Sequence, residues 1–288
     1  MKFAFIEENR NSFDICVMCR VLEVTKSGFY AWRKRPASKR EVRSEELGEQ
    51  IRIIHKESDG IYGSIKIARE LRHRKIKANH KTVAALMRNM GIRSKVCKRY
   101  RVQTTDSNHS NPVAPNTLDR QFRSATAPNQ IWGTDITYIQ TDEGFVYLAG
   151  VMDLFSRKIV GWSMDDTMTA KLVQDALNAA LLTRKDAFGL LHHSDRGVQY
   201  TSSAYRQLLD LHGVRASMSR TGNCYDNAPV ESFWGKLKTE MVYHRRFATK
   251  QEAKRAVFEY IEMFYNRKRL HAALGYVSPE QFELSQNR

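Results

Sequence analysis

The sequence predicts an α/β fold in its C-terminal half, preceded by an all-α N-terminal half. Three observations point there. Apolar residues recur at helical spacing before residue 93, whereas Ile131 to Ile139 alternates as a strand, with Trp132, Thr134, Ile136 and Tyr138 on one face and Gly133, Asp135 and Thr137 on the other. Lys and Arg outnumber Asp and Glu by 27 to 13 in residues 1–130, but only by 20 to 18 in residues 131–288. Between the halves, residues 93–129 lose all periodicity and gather Ser, Asn, Thr and Pro behind Lys95, Lys98, Arg99 and Arg101, which marks a basic, polar linker.

The first element, residues 1–36, reads as a short helix-turn-helix-like segment. Phe13, Val17, Val21 and Leu22 stand at helical spacing, Glu23-Val24 breaks the pattern, and Thr25 suits the N-cap of an aromatic helix running through Trp32. Residues 44–92 form a second helical unit. Leu47, Ile51 and Ile54 mark one helix, and Ile67, Ala68 and Leu71 mark another. Asn79 caps a third, with Val83, Leu86, Met87 and Met90 before Gly91 ends it. The polar face of that third helix carries His80, Lys81 and Arg88, the side chains a basic recognition helix presents to DNA.

A formal charge of +16 suits a polyanionic partner, and its concentration in residues 1–130 assigns that partner to the N-terminal half. A run such as Arg33-Lys-Arg-Pro-Ala-Ser-Lys-Arg also suits a solvated, self-repelling surface, but an imbalance spread over a whole region is not explained that way. No stretch approaches the length of an apolar membrane span, and the opening Met1-Lys-Phe-Ala-Phe-Ile-Glu-Glu turns acidic before a secretory apolar region can form. No membrane association is expected. Cys16, Cys19, Cys97 and Cys224 read as ordinary buried thiols of a reducing compartment, since Cys16-x-x-Cys19 has no second pair to complete a zinc site.

In the C-terminal half, strand 131–139 is followed by the turn Asp142-Glu-Gly, a nearly continuous apolar strand from Phe145 to Met152, and a third strand, Ile159 to Trp162. Short turns make these an antiparallel meander. An amphipathic helix, Thr169 to Thr183, crosses to a short strand, Leu190-Leu-His-His, ending in Ser194-Asp195-Arg196-Gly197. A helix over 203–211 precedes a fifth strand over 214–218 and a Gly- and Asn-rich loop. Asn227 and Pro229 then open a helix that buries Val230, Phe233, Leu237 and Met241. On that helix Glu231, Gly235 and Lys238 share a stripe turned about 100° from Val230. Asp135, Asp195 and Glu231 stand out as acids set inside strong apolar patterns. A buried carboxylate must be paired or metal-bound, and spacing alone leaves both readings open.

The segments Trp132-Gly-Thr-Asp135-Ile-Thr-Tyr, His193-Ser-Asp195-Arg-Gly-Val-Gln-Tyr200 and Met218 through Pro229-Val-Glu231-Ser-Phe-Trp-Gly-Lys-Leu-Lys238 strongly resemble bacterial insertion-sequence transposases of the two-reading-frame type, whose second frame encodes a retroviral-integrase-like core. Asp195 and Glu231 are separated by 35 residues, and Lys238 lies seven beyond the glutamate, as in that family. The tail Tyr265-Asn-Arg-Lys-Arg-Leu-His271-Ala-Ala-Leu-Gly-Tyr276-Val-Ser-Pro279 is equally typical, and the likeness spans nearly the whole chain.

The resemblance implies a ribonuclease H-like core over 130–243, a mixed five-stranded sheet with helices on both sides, and a helical extension over 244–288. It implies that Asp135, Asp195 and Glu231 are catalytic and hold two Mg²⁺ ions, for which Mn²⁺ substitutes, and that Lys238 contacts DNA. The implied activity is metal-dependent nicking at 3′ ends followed by strand transfer. The implied partners are terminal inverted repeats, target DNA, further copies of the chain on DNA, and the upstream-frame protein, often fused by frameshifting to a chain that here opens on its own methionine. The implied setting is the bacterial cytoplasm, at the nucleoid. His192, His193 and His271 read as structural or DNA-adjacent, because imidazole suits softer ions. Two other activities share these motifs: a ribonuclease H-like nuclease without strand transfer and an inactive DNA-binding regulator. The intact Asp135, Asp195, Glu231 and Lys238 argue against the regulator, and the basic helices with the Tyr265 to Pro279 tail argue against the nuclease.

Overall fold

Capping sets the frame of the N-terminal half. In this computed structural model, residues 1–36, 38–96, 112–184, 187–220 and 224–286 are described; Cys97, Lys98, Arg99, Arg101 and the side chain of Cys224 lie outside them. Helices α1 (Lys2–Asn9), α2 (Ile15–Val21) and α3 (Lys26–Lys34) come first. Asp14 caps α2 by accepting from the amides of Cys16 and Val17, and Thr25 caps α3 through the Gly28 amide at 3.0 Å. The Asp14 cap turns Met18 and Cys19 inward against Ile6 and Phe29. Most of the stripe that marks this helix in the sequence therefore faces out, Phe13, Val17 and Val21 being 62, 53 and 73% exposed, and only Leu22 packs inward. Cys16 is likewise exposed, contrary to the expectation of a buried thiol, while Cys19 is buried.

The second helical unit comprises α4 (Lys39–Glu57), α5 (Ser64–His73) and α6 (His80–Asn89). Ser38 and Glu41 close a capping box on α4, and Asn79 caps α6 by accepting from the Lys81 amide at 2.9 Å. Ile51, Ile54, Ile67, Leu71 and Val83 fill the core of the unit. That core is completed from far away in sequence by Leu270. Tyr62 fixes the contact: its hydroxyl accepts from the Leu270 amide at 2.9 Å and donates to the Lys268 carbonyl at 3.1 Å.

Strands β1 (Ile131–Thr141), β2 (Gly144–Asp153), β3 (Ile159–Asp165), β4 (Leu191–Ser194) and β5 (Arg215–Met218) form one sheet in the order β3-β2-β1-β4-β5. The first three run antiparallel, and β4 and β5 join parallel to β1, so the sheet is mixed. Helices α7 (Ala170–Arg184), α8 (Val198–Thr201) and α9 (Ser203–Leu211) fall in the β3–β4 and β4–β5 connections. Leu172, Ala176, Tyr205 and Leu209 pack on one face of the sheet. Gly161 lets α7 come this close: a Cβ there would stand 2.4 Å from the Ala176 carbonyl.

The opposite face is covered by α10 (Ala228–Glu240) and α11 (Lys250–Phe258), followed by a π-helical turn (Glu259–Tyr265) and α12 (Pro279–Gln286). Val230, Phe233, Leu237 and Met241 are buried there, as their spacing predicts. Each such side chain contributes about 1.5–3 kcal/mol of hydrophobic stabilisation. Part of the stretch read as a linker also packs on this core, through Leu118 and Ala125. Among the described residues no helix is long and apolar enough to cross a membrane.

Candidate active site

Register brings two of the predicted acids level. In the parallel pair, Gly133 stands opposite His193, and the pairing stops there. Two residues further, Asp135 on β1 and Asp195 just past β4 flank the gap where the two strands part. Asp195 is held by its own loop, its Oδ1 accepting from the Gly197 amide at 2.9 Å. Glu231 enters from the first turn of α10, where the helix dipole favours an acid. Asn227 ties that helix start to β1 by donating to the Thr134 carbonyl at 2.9 Å.

Asp135 is oriented on both oxygens. Its Oδ1 accepts from the Ile136 amide at 2.8 Å and its Oδ2 from the Trp234 indole N–H at 3.1 Å. Trp234 fits because Gly150, the antiparallel partner of Asp135, has no side chain: a Cβ there would stand 2.8 Å from the indole ring. Burial raises the Asp135 carboxyl well above the usual range, Asp195 and Glu231 push it further, and the two donors only partly offset this. Asp195 and Glu231 thus both lie within the field of Asp135. The donor set is all hard oxygen, and its concentrated negative charge suits a doubly charged cation. Among the described residues, however, no trio of His, Cys, Asp or Glu is drawn together closely enough to hold a metal ion.

Lys238, one turn past Trp234, lays its ammonium over the Tyr138 ring, 4.9 Å from the centroid. It is half-buried rather than solvated, and burial lowers its pKa against the pull of Asp135. His192, His193 and His271 are buried and structural. His193 bridges Ser217 and Ser219 at 2.9 and 3.1 Å, and His192 meets the Tyr205 hydroxyl at 3.1 Å. Burial pushes their pKa values down to about 3, 4 and 2 for His192, His193 and His271.

The fully buried acids are others, and each has protein partners. Asp226 is gripped by Arg220 and Arg120, which hold its carboxyl far below the usual range. Glu240 takes Arg269 and the Tyr260 hydroxyl, Glu283 takes Arg184, and Asp153 accepts the amides of Asn129, Phe155 and Ser156. Asp135, Asp195 and Glu231, set inside apolar patterns in the sequence, are thus half-buried rather than enclosed, and the enclosed acids are others with partners of their own.

His80, Lys81 and Arg88 are exposed on α6, opposite Val83 and Met87, and belong to a different part of the chain from the three acids. Beside them lies a groove of about 840 Å³ that the sequence reading missed, lined by Arg69, Arg72, Lys75, Lys77 and His80. Arg69 is steadied over the Tyr276 ring at 4.8 Å. Trp234, Arg220 and Arg120 were also missed; for Trp234 the available signal was its place three residues past Glu231.

Comparison with known proteins agrees with both parts. The HTH-like domain family matches residues 43–100, and the integrase core domain family matches residues 125–224, with a second integrase core domain family over 231–286. An insertion element IS600 31 kDa protein of Shigella sonnei is 44% identical over 265 residues, covering 92% of this chain and 97% of that one. Among solved structures, a simian T-cell lymphotropic virus intasome chain covers 80% of this chain and 73% of its own at 16% identity and a TM-score of 0.47. The transposase InsF of insertion sequence IS3A from Escherichia coli K12 is 43% identical over 285 residues, 98% of each chain, and on that evidence the chain belongs to the IS3 family of insertion-sequence transposases.

Proposed function

We propose that the chain nicks DNA at the 3′ ends of its element and transfers those ends to a second strand, with Asp135, Asp195 and Glu231 as the catalytic, metal-holding acids. One observation carries this reading: Asp135 and Asp195 flank the point where β1 and β4 part and Glu231 stands at the start of α10, which Asn227 ties to β1, while each fully buried acid nearby is already taken by donors of the protein. Acids that repel one another persist where a cation offsets the repulsion. Mg²⁺, or Mn²⁺ in its place, fits these hard oxygen donors, and a pair of such ions would activate the attacking oxygen and neutralise the scissile phosphodiester.

The chain's own residues orient the site. Trp234 and the Ile136 amide fix the Asp135 carboxylate, Gly197 fixes Asp195, and Asn227 anchors the helix that carries Glu231. In the first step a water oxygen bonds to phosphorus as the bond to the 3′ oxygen breaks, leaving a 3′ hydroxyl. In the second that hydroxyl attacks phosphorus in another strand and a new 3′ oxygen leaves. Each step exchanges one P–O bond for another, so no covalent enzyme link and no energy-supplying cofactor is required.

Lys238 contacts the DNA end beside the acids. His80, Lys81 and Arg88, with the neighbouring Arg69, Arg72, Lys75 and Lys77, bind duplex through its phosphates and grooves. The partners are terminal inverted repeats, target DNA, a second copy of the chain on paired ends, and the upstream-frame protein; the setting is the nucleoid of the bacterial cytoplasm. The test incubates the full chain with labelled element ends and Mg²⁺, with and without the upstream-frame protein. Nicked and joined products are expected. Nicked products alone would leave a nuclease.

A further inference from the structure

The seam between α5 and α10 gathers more positive charge than its acids offset. Arg269 and Glu240 form a closed pair there, the guanidinium donating to both carboxylate oxygens through its Nε and Nη2, with the Tyr260 hydroxyl adding a third donor at 2.8 Å. Glu70, the other acid acting on Tyr62, is taken by Arg74 at 3.2 Å. Three further cations act there, Arg157 and two lysines. Lys66 on α5 holds its ammonium 5.0 Å from the centre of the Tyr62 ring, and the Tyr62 hydroxyl is bonded to the chain on either side of Arg269. Lys236 stands one turn before Glu240 on α10, its ammonium donating to Ser232 Oγ at 2.9 Å. Neither lysine makes an ion pair among the described residues, and both are only half-buried, so a ligand can reach them.

We infer that this seam is an anion site for a backbone phosphate of DNA, held between the ammonium groups of Lys66 and Lys236. Ammonium groups suit phosphate as point charges, and here they come from different parts of the chain. Lys66 belongs to the HTH-like unit and Lys236 to the helix that carries Glu231. One phosphate bound by both would hold the recognition unit and the catalytic helix on the same duplex. The local field agrees: burial and then Arg269 lower both lysines to about 8, and after burial Arg269, Lys236, Lys66 and Arg157 keep His271 neutral.

The inference rests on the DNA reading for the source of the phosphate but not for the existence of the site, and the experiment separates the two. The full chain is compared with the variant Lys66→Gln/Lys236→Gln and the charge-preserving variant Lys66→Arg/Lys236→Arg. Inorganic phosphate, against chloride at matched ionic strength, is expected to raise the melting temperature of the wild type and not of the Gln variant. In chloride the Gln variant is expected to melt no lower than wild type, since it loses two repelling charges. Binding of a generic duplex is expected to lose about 0.9 from its log-log salt slope in the Gln variant, the value for one phosphate, and to recover it in the Arg variant. An unchanged phosphate effect overturns the site, as does a Gln variant that melts lower in chloride, which would make the lysines structural. A phosphate effect with an unchanged DNA slope overturns DNA as the source. A wild type that responds to phosphate yet binds no duplex would overturn the functional reading instead.

Discussion

The two ends of α10 each carry a glutamate and treat it in opposite ways. At the C-terminal end, Glu240 is sealed from solvent and neutralised by Arg269, which outweighs burial and holds its pKa below the usual range. At the N-terminal end, Glu231 is half-buried and adds to the charge that keeps Asp135 high. One end is finished by the protein, and the other concentrates negative charge. A single helix thus joins a part of the chain that holds the fold to the part proposed to do the chemistry.

The sharpest break in that comparison is expected in activity at the N-terminal end. Asp135→Asn, Asp195→Asn or Glu231→Gln should each lower Mg²⁺-dependent nicking by a thousandfold or more, about 4 kcal/mol in barrier, while duplex binding through the basic helices persists. Near-wild-type nicking in any one of them would remove that residue from the site.

Removing one partner at the other end should cost stability of similar size. Arg269→Ala strands a buried glutamate, and Glu240→Ala strands a buried guanidinium; breaking such a pair costs about 3–5 kcal/mol. Denaturant unfolding measures this, and a loss below about 1 kcal/mol would place the pair among the weak surface ones. The pH response distinguishes the ends as well. The depressed Glu240 contributes stability that is present above its unfolded pKa and lost as pH falls through the lower folded value. Asp135, being raised, costs stability fully above its folded pKa and none below its unfolded one. Asp135→Asn is therefore expected to stabilise the metal-free chain at neutral pH, with the gain closing as pH falls into the ordinary aspartate range. A constant difference across that range would refute the sign.

This contrast was only half legible in the sequence. Alternation and spacing located all five strands and α10, because period reports which face is buried, whereas the role expected of the three acids came from the family resemblance. Period does not report who neutralises whom. Arg269 lies 29 residues from Glu240, and Arg120 lies 106 from Asp226. Only the folded chain brings them together. The same limit hid α1, whose Phe-Ala-Phe-Ile run has no polar face to mark it, and reversed the expected exposure of Val17 and Val21. Trp234 was hidden more deeply: its role needs Gly150 opposite Asp135, which is a fact of register.

Trp234 gives the next smaller effect. Trp234→Phe keeps an aromatic ring over Gly150 but removes the N–H on Asp135, and a hydrogen bond to a charged group contributes about 1.5–3 kcal/mol. The expected outcome is a higher Mg²⁺ concentration for half-maximal nicking with little change in melting temperature. The reverse pattern would make the indole a packing residue only.

Lys238 is expected to give the smallest change. Its ammonium rests on the Tyr138 ring, two turns of α10 beyond Glu231, at the edge where β4 no longer covers β1. Burial weakens the charged form there, whereas an incoming phosphate would restore it, so this lysine gains more from DNA than an exposed one does. Its loss should misplace the DNA end without disturbing the acids. Lys238→Gln is therefore expected to lower single-turnover nicking by tenfold or more, about 1.4 kcal/mol, leaving the Mg²⁺ dependence and melting temperature as they were. Lys238→Arg should recover part of the rate, since the charge returns with a bulkier, planar head. A Gln variant within about threefold of wild type, under ~0.7 kcal/mol, would return Lys238 to the helix surface and confine the proposed chemistry of α10 to Glu231 and Trp234.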